Sequence, residues 1–234
     1  MTRQVVIAGG TGEVGKHLLA RLAGQPDLEV RALVRRPGTV APAPGLREVV
    51  FDYEAPESYT ALFAEPCDFL FIALGTTRRK AGSDEAFLRV DRDYPLRLIS
   101  AMAMTNTGGR VGLVSSVGAD KPRGLYLTAK AEVEAALEES GLAHAIARPS
   151  MLRSRRAEFR PLEVVFDVLF APGILALGRW LFPRSRGWWR WAPVQVREVA
   201  TALFQATLGL GPREHRVLEG PDLHQGPVSH WGRP

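Results

Sequence analysis

The 234-residue chain has one cysteine, Cys67, so no disulfide can form within it. A reducing compartment, the cytoplasm, is the natural expectation. It also lacks a twenty-residue apolar run, the length a membrane-spanning helix needs. The opening stretch, MTRQVVIAGG, has only a short apolar run that leads into glycines, so no signal peptide is expected. Repeats and low-complexity segments are absent. The five histidines, His17, His144, His215, His224 and His230, show no metal-ligand spacing with Cys67 or with one another. No metal is expected, and His144, inside a predicted strand, reads as structural. Lysine is scarce: nearly all the basic residues behind the net charge of +5 are arginines. Such a balance suits an anionic ligand, a membrane surface or nucleic acid, and does not choose among them.

What is present is the makeup of a folded domain, 46% hydrophobic and 24% charged. Short β-branched runs alternate with helical periodicity. Strands are predicted at 4–8, 28–34, 46–51, 68–74, 110–115 and 143–148, with a last one at 215–218. Helices are predicted at 13–22, 83–104, 126–139 and 194–208. The run DFLFIAL is apolar on both sides, as a strand buried in a parallel sheet should be. This alternation implies an α/β fold with a doubly wound parallel sheet and right-handed crossovers.

The first strand runs into Gly9-Gly10-Thr11-Gly12-Glu13-Val14-Gly15 and then a helix. Gly9 permits a sharp turn, Gly12 lets the backbone approach a pyrophosphate, and Gly15 lets helix pack on strand. The helix start adds free N–H groups and a positive dipole end. A purely structural strand–helix turn is the alternative. The second strand ends in Arg35-Arg36, where a site for NAD(H) usually has an acidic residue. A guanidinium suits a 2′-phosphate, which points to NADP(H); ordinary solvated arginines are the alternative. Asp52, after the third strand, can accept from an adenine amino group or simply end a strand. Leu74, Gly75 and Thr76 would run beside the cofactor at the carboxyl edge of the sheet.

The fifth strand ends in Ser115-Ser116, and Tyr126 and Lys130 follow. A Tyr and a Lys four apart on a helix share one face. A phenol near pKa 10 is a poor acid or base at neutral pH, and a nearby ammonium favours its phenolate. One of the two serines can hold a substrate oxygen while Tyr126 moves the proton and a nicotinamide exchanges hydride with a carbonyl carbon. Lys130 can also bind the nicotinamide ribose. Plain surface positions remain the alternative for all three types.

Together these residues resemble the short-chain dehydrogenase/reductase superfamily in its atypical NAD(P)-binding branch, and within it the Tat-interacting oxidoreductase subfamily. The resemblance is carried by Ala73-Leu74-Gly75-Thr76-Thr77-Arg78, Lys80-Ala81-Gly82, Val90-Asp91-Arg92-Asp93-Tyr94, Ser115 through Lys121, Leu125 through Glu134, and Ala147-Arg148-Pro149-Ser150. It covers residues 1–150 well and the rest loosely. It implies a Rossmann-type sheet with NADP(H) across its carboxyl edge and Ser116, Tyr126 and Lys130 as the Ser-Tyr-Lys set. It also implies that Gly9, Thr11, Gly12, Glu13, Val14, Arg35, Arg36 and Leu74–Thr76 hold cofactor, with Pro149 and Ser150 near the nicotinamide. The superfamily often has an Asn where this chain has Asp91 or Gly75-Thr76-Thr77, which puts an Asn proton relay in doubt. Some members of the subfamily work mainly as nucleotide-dependent binding proteins.

The chain therefore reads as one domain: a nucleotide-binding core at 1–150, a small helical substrate-side cap with the last sheet elements at 151–220, and a tail at 221–234. Between 153 and 191 arginines interleave with aromatic residues such as Phe166, Trp180 and Trp188. A packed cap with solvated arginines, a lid over an apolar small-molecule substrate, and peripheral membrane contact are all compatible with this. No nucleic-acid motif accompanies it, so no nucleic-acid partner is expected. Two functions follow: an NADPH-dependent reductase, or a non-catalytic NADP(H)-binding regulator. The arginine pair sets a first test, a titration with both coenzymes. NADPH is expected to bind more tightly than NADH, and equal affinities would remove the argument from Arg35 and Arg36.

Overall fold

The structure is a computed structural model and describes residues 2–153 and 186–224, except the side chains of 186–188. The strands are β1 (Arg3–Ala8), β2 (Leu28–Val34), β3 (Leu46–Val50), β4 (Phe69–Ile72), β5 (Arg110–Val114), β6 (Ala143–Ala147), β7 (Leu152–Arg153), β8 (Val194–Gln195) and β9 (His215–Leu218). The helices are α1 (Glu13–Leu22), α2 (Pro56–Ala64), α3 (Arg78–Ala81), α4 (Asp84–Leu88), α5 (Tyr94–Thr105), α6 (Gly124–Glu139), α7 (Arg186–Trp191), α8 (Val196–Leu208) and α9 (Pro221–His224). A π-helical turn, Arg89–Asp93, joins α4 to α5.

Among the described residues seven strands form one sheet in the order β3-β2-β1-β4-β5-β6-β9, and every pairing is parallel. The order reverses between β1 and β4, the place where open parallel sheets bind ligands beyond the carboxyl ends of their strands. Apolar side chains of both sheet faces are buried. On one face Val5, Ile7, Val30, Phe69 and Phe71 pack with Leu18 and Leu22 of α1 and Val199 and Leu203 of α8. On the other, Val6, Leu33, Leu70 and Ile72 pack with Leu62 of α2, Leu98 and Met102 of α5, and Val133 and Leu137 of α6. This is the expected Rossmann-type, doubly wound α/β sheet. A two-stranded parallel ribbon, β7 with β8, follows Pro149-Ser150 and leads into α8. Most of the Arg/aromatic segment and of the tail lies outside the described residues.

Two local features differ from the sequence expectation. The single helix over 83–104 is broken by the π turn. Pro95 explains it: its ring lacks the N–H that would bond the Asp91 carbonyl, and it crowds that carbonyl. The helix α2 has no counterpart in the sequence reading, although Pro56 at its first position is a start signal. Arg31, in the middle of β2, is only 1% exposed. Its guanidinium donates to the Leu62 carbonyl (2.9 Å) and the Pro66 carbonyl (2.6 Å) and pairs with Glu65 (3.1 Å), so it closes the C-terminal end of α2.

At the opposite edge of the sheet His144 is buried, with Nδ1 2.9 Å from the Leu142 carbonyl and its ring 4.2 Å from that of His215. Burial pushes its pKa below the usual value, and the neighbouring His215 adds to this, against the Leu142 carbonyl and the more distant Glu138 and Glu134. Below the ordinary histidine pKa the unfolded chain takes up a proton that folded His144 refuses. Stability is therefore full above about pH 6.5 and falls as the pH drops below it. In urea melts across that range His144→Phe is expected to flatten this fall; an unchanged pH slope would contradict it.

Candidate functional site

Because all strands of the large sheet run parallel, the segments after β1 to β6 meet at one edge. The turn after β1 is built on glycine. Gly9 has φ +87°, and a Cβ there would collide with the Ala73 carbonyl of the loop after β4. A Cβ on Gly12 would lie 3.3 Å from the Gly9 carbonyl, and one on Gly15 would overlap it. The turn closes with the Gly12 N–H donating to the Gly9 carbonyl at 3.0 Å. Gly12 caps α1 with no side chain, so the first N–H groups of the helix stay open to a ligand. Thr11, Gly12 and Glu13 are exposed and Val14 is buried. A glycine turn with no side-chain cap, at a helix start beside the strand-order reversal, fits a dinucleotide diphosphate.

Arg35 and Arg36 are exposed immediately after β2, and the Arg35 charge lies close enough to act on the buried Tyr53 phenol. Asp52 is exposed after β3, and its carboxylate accepts from the Glu54 N–H at 2.9 Å. Beside it, Tyr53 and Tyr94 stack at 4.8 Å, and the Tyr94 hydroxyl donates to Glu54 at 2.6 Å. Burial, with that bond to Glu54, pushes the Tyr94 phenol up to about 12. Leu74 and Thr76 are half-buried in the loop after β4, and Gly75 is exposed between them.

Tyr126 and Lys130 stand on one face of α6. The Tyr126 ring is 43% exposed and the Lys130 ammonium lies 5.9 Å from its centre. Phe87 of α4 covers the tyrosine ring from another side, at 6.2 Å. Lys130 is buried and pairs at 3.0 Å with Asp91, whose side chain is 1% exposed. The other carboxylate oxygen of Asp91 accepts from the Thr76 N–H at 2.8 Å. One buried acid thus joins the π turn, α6 and the loop after β4. The sequence singled out Asp91 only as a departure from Asn; its pairing with Lys130 needed the bulge at Pro95 to become visible.

The two serines left open by the sequence now separate. The buried Ser115 hydroxyl donates to Glu134 of α6. Among the described residues, the half-buried Ser116 hydroxyl has only a long contact to the Val117 carbonyl (3.4 Å) and does not bond Tyr126. Behind them runs a chain of charges that the sequence reading missed. Arg148 grips Glu134 through Nε (3.1 Å) and Nη2 (2.6 Å), and reaches Glu219 at 2.9 Å. Burial works against the Arg148 charge, but the bonds to Glu134 and Glu219 outweigh it and raise its pKa. Arg190 of α7 lies 3.2 Å from Glu219, in ion-pair range though not aligned for a hydrogen bond, and also donates to Asp120. Pro149 is buried, its carbonyl accepting from the Val117 N–H at 2.9 Å, and the Ser150 hydroxyl donates to the Ala192 carbonyl. Among the described residues no group of His, Cys, Asp and Glu could hold a metal ion, and no helix is long and apolar enough to cross a membrane.

The NAD(P)H-binding family is matched over residues 9–164. The rat protein HTATIP2 is 39% identical over 168 residues, 69% of this chain and 67% of that one. The mitochondrial protein fmp52 of Emericella nidulans is 32% identical over 231 residues, covering 94% and 97% of the two chains. In structure, the Bordetella bronchiseptica enzyme WbmH in complex with NAD+ superposes with a TM-score of 0.69 at 18% identity, over 94% of this chain and 76% of that one. These findings correct one expectation. The fmp52 relatives of several fungi are named mitochondrial, which overturns the cytoplasmic assignment. The physical reason is plain. Cys67 is buried, and burial pushes its thiol up to about 12, so it is inert and does not discriminate between compartments.

Removing one member of the buried pair isolates the other. Asp91→Ala is expected to destabilise the fold by about 3–5 kcal/mol in chemical denaturation, as breaking a buried ion pair does. A loss below about 1 kcal/mol, the size of a surface pair, would contradict the description of Lys130 as buried and dependent on Asp91.

Proposed function

Because this chain belongs to the NAD(P)H-binding family, we propose that it is an NADP(H)-dependent oxidoreductase of the short-chain dehydrogenase/reductase type, acting on a carbonyl or alcohol of a small, apolar substrate. The observation that carries this reading is the Tyr126–Lys130 face at the carboxyl edge: a half-exposed phenol with a buried ammonium 5.9 Å from its ring. Gly9, Thr11, Gly12, Glu13 and Val14 hold the diphosphate through backbone N–H groups. Arg35 and Arg36 take the 2′-phosphate, and Asp52 the adenine. Leu74, Gly75 and Thr76 line the path to the nicotinamide, with Pro149 and Ser150 beside it and Lys130 at its ribose.

When bound, the dinucleotide supplies or accepts the hydride. The protein's own part is proton handling and orientation. Ser116 donates a hydrogen bond to the substrate oxygen. Tyr126 delivers a proton to that oxygen in reduction and removes it in oxidation. Lys130 sets its ammonium over the Tyr126 ring, and Asp91 holds Lys130 in place. Exposed Met151 and Leu152, just after Pro149-Ser150, offer an apolar border to the substrate side. No nucleic acid takes part.

A second reading is favoured by one observation. Asp91 offsets the charge of Lys130 at 3.0 Å, which weakens the field Tyr126 receives. A protein with that arrangement can bind NADP(H) as a regulator without turning over. A panel of carbonyl substrates with NADPH separates the two. Turnover that falls by about 10²-fold or more in Tyr126→Phe, with NADPH binding retained, is expected of the enzyme. Tight NADPH binding with no turnover across the panel would overturn the enzymatic reading in favour of the regulator.

A further inference from the structure

The loop that leaves β2 carries Arg35 and Arg36 and then folds back at Pro37-Gly38-Thr39-Val40. Its backbone N–H groups converge on one carboxylate. Glu48 of β3 accepts from Gly38 N–H at 2.7 Å, from Thr39 N–H at 2.8 Å and from Val40 N–H at 2.6 Å. The Thr39 hydroxyl lies within reach of both Glu48 (3.3 Å) and the Arg36 carbonyl (3.1 Å) and donates to one or the other. Gly38 has φ +73°, the left-handed conformation that turns its N–H toward the same point as its neighbours'. Three successive amides around one anion form a nest, and here the anion belongs to the protein. Those amides hold the Glu48 carboxyl below its ordinary pKa, so it stays charged across the neutral range. Val40 packs against the apolar core and anchors the far side of the loop.

We propose that Glu48 is a positioning residue for coenzyme choice: by clamping residues 38–40 it holds the Arg35-Arg36 backbone at the sheet edge, ready for a 2′-phosphate. This rests on the NADP(H) reading above. Two arginine side chains are costly to order, and a floating backbone would add to that cost each time a phosphate binds. A clamped loop removes the backbone part beforehand. A coenzyme without the 2′-phosphate makes no use of the arginines and is indifferent to the clamp.

The experiment measures dissociation constants of NADPH and NADH, by nucleotide fluorescence, for the full chain and for Glu48→Ala. The expected result is an NADPH constant raised about tenfold, the scale of ordering one or two side chains. NADH stays within about twofold, and the melting temperature and circular dichroism spectrum stay close to those of the parent. If Glu48→Ala does not fold, Glu48→Gln serves. It keeps one amide oxygen for the nest but loses the charge, and it too must lower the NADPH/NADH preference. A preference unchanged in the folded variant, or both coenzymes weakened alike, overturns the role of Glu48 while leaving the arginines in place. A parent protein with no preference for NADPH overturns the NADP(H) reading itself, and the role of Glu48 with it.

Discussion

The carboxylate of Asp91 is the constraint from which the candidate site is assembled. One oxygen holds the Lys130 ammonium and the other the Thr76 N–H. Neither partner has a ready substitute: Lys130 is buried, and Thr76 sits in a loop that follows the last regular residue of β4. The acid reaches them because the helix carrying it is widened by a π turn. Pro95 forces that turn by withholding the N–H due to the Asp91 carbonyl. A proline four residues downstream thus sets the orientation of the residue that fixes the lysine, and the lysine in turn faces the ring of Tyr126.

A second set of charges braces the other side of the candidate site. Glu134 ties α6 to Ser115 and Arg148, and Arg148 passes the connection through Glu219 toward Arg190 on α7. The ends of β5, β6 and β9, the helix that bears Tyr126, and α7 are thereby held together. Charges this deep contribute little net stability once desolvation is counted, so their value is geometric. They fix where Ser116 stands relative to α6. Ser115 is engaged in this brace, whereas Ser116 is not.

Legibility in the sequence followed the range of the interaction. The turn after β1 could be read because every constraint on it is local: a strand, three glycines at fixed spacing and an amphipathic helix. The sheet could be read because a strand buried on both faces, such as DFLFIAL, has a composition of its own. Arg31 could not. An arginine in a strand reads as a surface charge until the end of α2 is seen to offer it two carbonyls. Glu134, Arg148 and Glu48 were invisible for the same reason, since their partners are 14 or more residues away or are backbone groups of a loop. Pro95 was readable as a break in the long helix, but periodicity on both sides of it masked the signal. The compartment was misjudged because one unreactive thiol was given more weight than it can bear.

The central claim is that a dinucleotide lies across the carboxyl edge of the sheet with its diphosphate on the start of α1. A crystal structure of the chain grown with NADPH tests it most directly. The account requires diphosphate density within hydrogen-bond reach of the Gly12–Val14 backbone, and the nicotinamide end beside Lys130. A nucleotide bound elsewhere, or a turn after β1 filled by the protein's own side chains at saturating NADPH, would contradict it.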